Sequence, residues 1–266
     1  MKKYEGYLIC TDFDGTFALP NARLSEENLE AVSYFQQNGG LFTIASGRTP
    51  TFIRELGDRF RPNAPIIAMN GAMICDENDG HVLRRFPMSR DVLEIMDDIA
   101  ATGLPRRMSL WNEYEIRDDW TREDGVLPSA RFKSLPEPWF KTVITADPES
   151  TLKIRDYFLA RYAERFNCGR SWPEGFEIHS LESGKGECMR ALKEMYGGRI
   201  HTTVGVGDYE NDLSLVRDAD LGYAVGNAID EVKAVARRVT VSNAEHAIAR
   251  IIAELPTITA APCHCE

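Results

Sequence analysis

The sequence predicts an α/β fold: a doubly wound parallel sheet interrupted by an inserted α+β unit. Three observations predict it. Short apolar runs recur, and each ends in a small polar or Gly-containing cluster. Helical patterns lie between most of them. The rhythm then loosens between about residues 86 and 181. Continuous short apolar runs suit strands covered on both faces, and strand–helix alternation sets such strands parallel.

The elements follow in order. Residues 7–11 form a first strand that ends at Asp12. Ser25 N-caps a helix with Glu26 and Glu27 in its first turn. Its apolar face is Leu29, Val32 and Phe35, and Gly39-Gly40 stops it. The run 41–45 ends at Ser46-Gly47-Arg48, and the run 65–69 at Asn70-Gly71. After the insert come a helix over 187–195 and a strand over 202–206 ending at Gly207-Asp208. A helix over 211–219, a strand over 221–225 ending at Gly226-Asn227, a helix over 230–238 and a strand over 239–241 complete the pattern. In doubly wound sheets ligands sit beyond the carboxyl ends of the strands. Every polar cluster falls at such an end.

The insert reads as α+β with an antiparallel sheet. A helix over 89–101 closes at Gly103, and 108–117 alternates like a half-buried strand. A strand spans 141–146. Asp147 and Pro148 are the N-cap and first residue of a long helix reaching about 165. Residues 167–172 and 176–181 form a hairpin around Pro173-Glu174-Gly175. All four tryptophans, Trp111, Trp120, Trp139 and Trp172, lie in this unit. The division is therefore a discontinuous core of 1–85 and 182–266, with an insert of 86–181.

Composition narrows the function classes. Of 266 residues, 43% are hydrophobic and 27% charged, an ordinary globular balance. The net charge of −10 lacks the basic footprint of a nucleic-acid or anionic-membrane binder. No apolar run approaches the ~18 residues of a membrane span. Lys2 and Lys3 precede only a short apolar stretch, so no signal peptide is expected. Six cysteines without a CxxC pair point to a reducing, cytoplasmic compartment rather than a disulfide framework. Cys10 and Cys188 read as small core residues. The tail Cys263-His264-Cys265 could clip a metal, but no nearby Cys or His completes a zinc site.

The chemistry gathers in four clusters. In Asp12-Phe13-Asp14-Gly15-Thr16 two carboxylates leave a strand for a Gly turn. An ionised Asp can attack without a base, and two neighbouring carboxylates attract a divalent cation. Taken alone, the pair also reads as a solvated acidic turn. A second acidic cluster, Asp208, Asn211 and Asp212, reaches the same sheet edge and changes that weighing. Oxygen ligands of this kind suit Mg²⁺, which works with phosphate. Lys185, between two glycines at a helix start, is either a surface residue or a neutraliser of phosphate charge. Ser46, Gly47 and Arg48 are either a plain cap or a turn whose hydroxyl and N–H groups bind phosphate oxygen.

The order Asp12-x-Asp14-Gly-Thr, Ser46-Gly-Arg, Lys185, Gly-Asp208-x-x-Asn211-Asp212 resembles the haloacid dehalogenase superfamily. More narrowly, it resembles the Cof-type phosphatases with a type IIB (C2) cap. Asn70-Gly71-Ala72 and Ala224-Val225-Gly226-Asn227-Ala228 support the likeness. The resemblance implies a Rossmann-like core and a cap that sets specificity. It also implies a Mg²⁺-dependent phosphatase acting on a small phosphate monoester, such as a sugar phosphate, through an aspartyl-phosphate. By resemblance Asp12 is the nucleophile and Asp14 the acid and base, its proton held by burial or hydrogen bonding. Asp12, the Asp14 carbonyl, Asp208 and Asp212 hold the metal. Ser46 and Lys185 hold the phosphoryl group, Asn211 orients Lys185 or phosphate, and Gly47 and Arg48 add phosphate contacts.

The chain departs from the family in carrying Ser46 where Thr is common, and Ala247 where relatives have Gly. His246 beside it reads as a surface loop residue. A phosphomutase with the same cap is the alternative reading. A receiver-like signalling module or a silent binding protein fits less of the pattern. For the insert's aromatics and the adjacent Arg106 and Arg107, two readings stand: a grip on substrate, or the core of a small sheet.

Overall fold

The computed structural model of the protein describes residues 2–57, 60–112 and 117–258. The tail with Cys263-His264-Cys265 lies outside the described residues.

Five parallel strands make the central sheet. They are β1 (Tyr7–Thr11), β2 (Leu41–Ile44), β11 (Thr202–Gly207), β12 (Leu221–Ala224) and β13 (Arg238–Val239), in the order β13-β12-β11-β1-β2. The register runs Tyr7 against Thr202 to Thr11 against Val206. Alternation along β1 divides the core. Leu8 and Cys10 pack with Cys188, Met189 and Leu192 of α6 (Lys185–Met195) on one face. Ile9 packs on the other, with Val32 and Phe35 of α1 (Glu26–Gln37) and Ile248 and Ile251 of α9 (Ala247–Ile258). Residues one apart on a strand point to opposite faces, so a run apolar at every position needs both covered. Ser25 caps α1 as expected, its hydroxyl accepting the Asn28 N–H at 3.1 Å.

A short antiparallel sheet follows: β3 (Ile66–Ala68), β4 (Met73–Cys75) and β5 (Val82–Arg85). An isolated parallel bridge, Ala45 to Ile67, joins β3 to the central sheet. The sequence reading found β3 but not β4 or β5, whose three and four residues are too short to show alternation.

The insert forms its own antiparallel sheet, order β7-β6-β8-β10-β9. The strands are β6 (Arg107–Asn112), β7 (Arg117–Thr121), β8 (Trp139–Thr145), β9 (Phe166–Trp172) and β10 (Gly175–Ser180). Helices α3 (Val92–Ala101) and α5 (Pro148–Tyr162) pack on one face, in an apolar cluster with Met108, Trp120, Trp139 and Ile178. The expected single strand over 108–117 is instead β6 and β7 pairing antiparallel, Trp111 opposite Arg117. Alternation alone does not mark a chain reversal. The expected helix over 230–238 ends at Val235, because Arg238 and Val239 join the sheet edge. That over 211–219 is a turn of 3₁₀ helix and then α7 (Leu213–Asp218). Among the described residues no helix is long and apolar enough to cross a membrane.

Gly205 shows how closely α7 approaches β11. A Cβ there would lie 2.2 Å from the Leu215 carbonyl oxygen. Backbone cannot yield as a flexible side chain can. Gly205→Ala should therefore lower the unfolding free energy by about 1–3 kcal/mol in denaturant titration, as overpacking does. Unchanged stability would show that the helix shifts freely.

Candidate active site

Two strand ends meet to form the site. Asp12 follows β1, and its N–H donates to the Val206 carbonyl of β11 at 2.8 Å. The chain then turns through Gly15 at φ +83°, where a Cβ would sit 2.6 Å from an Asp208 carboxylate oxygen. A side chain here would meet both the strain of positive φ and that contact. Thr16 completes the junction, its hydroxyl donating to Asp208 Oδ1 at 2.6 Å. Asp212 organises the second loop. Its Oδ2 accepts the N–H groups of Asp208 and Tyr209 at 2.9 and 3.2 Å.

Lys185 sits at the start of α6, 1% exposed. Its Nζ donates to Asp12 Oδ1 at 2.5 Å and to Asp212 Oδ1 at 2.6 Å. Burial pulls this ammonium down, but the two carboxylates outweigh it and hold it above its usual range. The surface reading of Lys185 is thus excluded.

Negative charge remains in surplus. Asp12, Asp208 and Asp212 bring one oxygen each within 4.8 Å of one another, against the single ammonium. Burial, and then the Asp212 charge, push the Asp12 carboxyl up against the pull of Lys185. The same two causes push Asp208 up to about 7, although its bond from Thr16 opposes them. These three residues could hold a metal ion.

Asp14 lies differently from its expected setting. Its side chain is 52% exposed and lies outside the three-carboxylate group. Arg48 forks it, Nε to Oδ2 and Nη2 to Oδ1, both at 2.8 Å. Arg48 also lies over the Phe52 ring, 4.2 Å from its centroid. Both oxygens thus accept from Arg48, and the expected burial or proton-holding hydrogen bond is absent among the described residues. Arg48, expected on phosphate, is on Asp14.

Ser46 is buried at the end of β2, its hydroxyl accepting the Arg48 N–H at 3.1 Å. Asn211 donates to Asn70 Oδ1 at 3.1 Å, so in this state it orients Asn70 and not Lys185. Asn70 in turn donates to Glu177 of β10.

Glu177 and Lys141 were not singled out in the sequence. Both are buried. Lys141 Nζ donates to the Gly47 carbonyl at 2.9 Å and lies 3.4 Å from Glu177. Burial raises the Glu177 carboxyl, but Lys141 and His179 outweigh it and bring it to about 2. Buried charged residues on the insert strands would have been the signal.

Glu210 was also missed. It sits between Asp208 and Asp212, yet its carboxylate belongs to the insert. Arg170 of β9 donates to it through Nε at 2.8 Å and Nη2 at 2.5 Å, and Arg155 of α5 through Nη1 at 2.9 Å. The acidic loop is thus tied to the insert. His246 is part-exposed and bonds to Ser25 at 2.8 Å, a structural contact.

A cavity of about 440 Å³ opens over the carboxylates. Asp12, Asp14, Ser46, Gly47, Arg48, Asp208 and Asn211 line one side. The open face of the insert sheet lines the other, including Trp111 and Trp172, while Trp120 and Trp139 pack inside the insert. Most of the insert's aromatics, Phe132, Phe158, Phe166 and Phe176 among them, thus form its core, and Trp111 and Trp172 border the cavity.

A family profile described as haloacid dehalogenase-like hydrolase matches residues 9–252. Phosphatase YwpJ of Bacillus subtilis is 33% identical, the match covering 93% of this chain and 99% of that one. The 5-amino-6-(5-phospho-D-ribitylamino)uracil phosphatase YcsE of the same organism is 27% identical over 92% and 94% of the two chains. The solved structure of a haloacid dehalogenase-like hydrolase from B. subtilis superposes with a TM-score of 0.78 at 22% identity, covering 93% and 99%.

Cutting the Glu210 tie should loosen both partners. In Arg170→Met, hydrogen exchange should rise by about tenfold or more in β9 and in the 208–212 loop, as expected for losing charge-assisted bonds worth about 1.5–3 kcal/mol. Exchange confined to β9 would show that the acidic loop holds its place unaided.

Proposed function

The chain belongs to the haloacid dehalogenase-like hydrolases, and from that premise we propose that it hydrolyses a small phosphate monoester through an aspartyl-phosphate on Asp12, with Mg²⁺. It is a phosphoric monoester hydrolase by membership and by its full-length likeness to phosphatases. One observation carries the finer reading. A nucleophile-type carboxylate, a buried ammonium and two further carboxylates converge at two parallel strand ends beneath a cavity. A sugar phosphate or related metabolite fits the cavity's size. Residues 1–85 and 182–266 then act as the catalytic core, and 86–181 as a C2-type cap, in keeping with their separate sheets.

The donor set fits the metal. Asp12, Asp208 and Asp212 offer only oxygen, and burial followed by the Asp212 charge raises the Asp12 and Asp208 carboxyls. Asp14 adds its backbone carbonyl in this reading. When bound, Mg²⁺ neutralises charge between the carboxylate nucleophile and the anionic phosphoryl group. Asp212 contributes less directly, because Lys185 and two backbone N–H groups already occupy its oxygens.

The residues divide the work. The Asp12 carboxylate attacks phosphorus, and the P–O bond to the leaving alcohol breaks. Asp14 gives that oxygen a proton, then takes one from the water that attacks the acyl phosphate. Inorganic phosphate leaves and Asp12 is restored. Arg48 must release Asp14 before Asp14 can carry a proton, and a phosphoryl oxygen is the natural exchange partner for the guanidinium. The Lys185 ammonium and the Ser46 hydroxyl hold non-bridging oxygens, with Gly47 and Asn211 bordering them.

Asp12→Asn keeps the side chain's shape and removes the nucleophile. Phosphate release from a panel of sugar, nucleotide and aryl phosphates should fall at least about a thousandfold, with the circular dichroism spectrum unchanged. Excess chelator should silence the wild type. Retained turnover in the variant would exclude Asp12 as nucleophile, and an isomerised ester in place of free phosphate would indicate a mutase.

The raised Asp208 carboxyl gives a second test. Its proton must leave before the oxygen can bind a cation. Above about pH 7 that cost disappears, so half-saturating Mg²⁺ should fall between about pH 6 and 8, by at most about tenfold per unit for a single proton. A flat profile would remove Asp208 from the metal site.

A further inference from the structure

The cavity wall facing Asp12 is built from alternate residues of the insert strands. Arg107, Ser109 and Trp111 of β6 face it, as do Lys141, Val143 and Thr145 of β8. Arg106, one residue out of phase, points elsewhere and lies 3.9 Å from Asp147. Period-two placement thus lays one face of the sheet over the carboxylates. If a phosphoryl group sits at Asp12, the rest of the ester lies against this face.

The charges on that face are unevenly matched. Lys141 is buried and held by Gly47 and Glu177, so it serves the contact between the two units. Arg107 and Arg117 are 42% and 46% exposed in their side chains. Both address one carboxylate, Asp119, at 2.5 and 3.6 Å. Among the described residues, two guanidiniums share a single counterion, and one positive charge is left over. Arg117 is also set in place over the Trp111 ring, 5.0 Å from its centroid. A guanidinium fork held this way matches a carboxylate or phosphate through paired hydrogen bonds.

We propose that Arg107 and Arg117 form a second anion subsite, and that the preferred substrates are phosphate esters whose leaving group carries a further anion, a carboxylate or second phosphate, at its far end. This rests on the phosphatase reading and names its substrate class. The distal anion completes the charge balance of the insert face, while Trp111 and Trp172 flank the intervening carbon chain. Such a group also sets the direction of binding. It occupies the cationic end and leaves the ester phosphate for Lys185 and the metal-binding end.

The experiment compares matched esters by phosphate release in the full-length protein with Mg²⁺. Glycerol 3-phosphate is set against 3-phosphoglycerate, and glucose 6-phosphate against glucose 1,6-bisphosphate, with p-nitrophenyl phosphate as a common reference. The bis-anionic member of at least one pair should have the higher kcat/KM by about tenfold or more, expressed chiefly in KM. The pair with the larger ratio tells carboxylate from phosphate. Arg107→Gln and Arg117→Gln should each shrink the ratio at least about threefold, and Arg117→Lys should keep part of it. Arg106→Gln should leave both the rates and the ratio as they are. Equal rates within every pair, or a uniform loss for all esters in the two variants, would overturn the subsite while leaving the phosphatase intact. No release from any ester, the aryl phosphate included, would overturn the phosphatase reading and the subsite with it.

Discussion

The buried ammonium of Lys185, clasped by Asp12 and Asp212, is the interaction on which the site depends. A lone buried charge would cost several kcal/mol, and so would either carboxylate without it. The three therefore have to arrive together. Lys185 comes from the start of α6, Asp12 from the end of β1, and Asp212 from the loop after β11. Their meeting fixes the relative height of a helix and two strands. The β1–β11 register and the close glycine packing beneath serve the same placement.

A second set of ion pairs joins the insert to this frame. Glu210 from the core accepts two insert arginines, and Lys141 from the insert reaches the Gly47 carbonyl. Asn70 links Asn211 to Glu177 across the same boundary. These contacts use Glu210, Asn211 and the Gly47 carbonyl, and leave the Asp12, Asp208, Asp212 and Lys185 side chains to partners within the core. The position of the insert and the geometry of the acidic loop are consequently mechanical neighbours, with Glu210 two residues from both Asp208 and Asp212.

Much of this was legible in the sequence. The strands ending at Asp12, Ser46, Asn70 and Asp208 announce themselves because burial on both faces removes every charged residue until the chain exits the sheet. Clustering of Asp12, Asp208 and Asp212 follows from strand ends sharing an edge, and Lys185 joins them from the start of a helix. The partners of these residues were not legible. Arg48 forks Asp14 because two turns happen to approach, and nothing in either motif encodes that. Glu177, Lys141 and Glu210 look like ordinary surface charges in one dimension. Only three-dimensional pairing accounts for their burial. The β6–β7 reversal was hidden for a related reason: Trp111 and Arg117 stand opposite each other an even number of residues apart, so an alternating pattern keeps its phase from one strand to the other.

The central strand pair has a kinetic consequence. β1 borders β2, which follows it closely, and β11, which lies some 190 residues later in the chain. At about 5–20 residues per second, a ribosome delivers β11 roughly 10–40 seconds after β1. Throughout that interval one edge of β1 offers its N–H and C=O groups to any extended peptide nearby. The antiparallel insert, whose sheet contacts lie within its own segment, can close during the wait. The nascent chain therefore carries a finished module in front of an unfinished one. Chaperone demand should concentrate on the first eighty-odd residues.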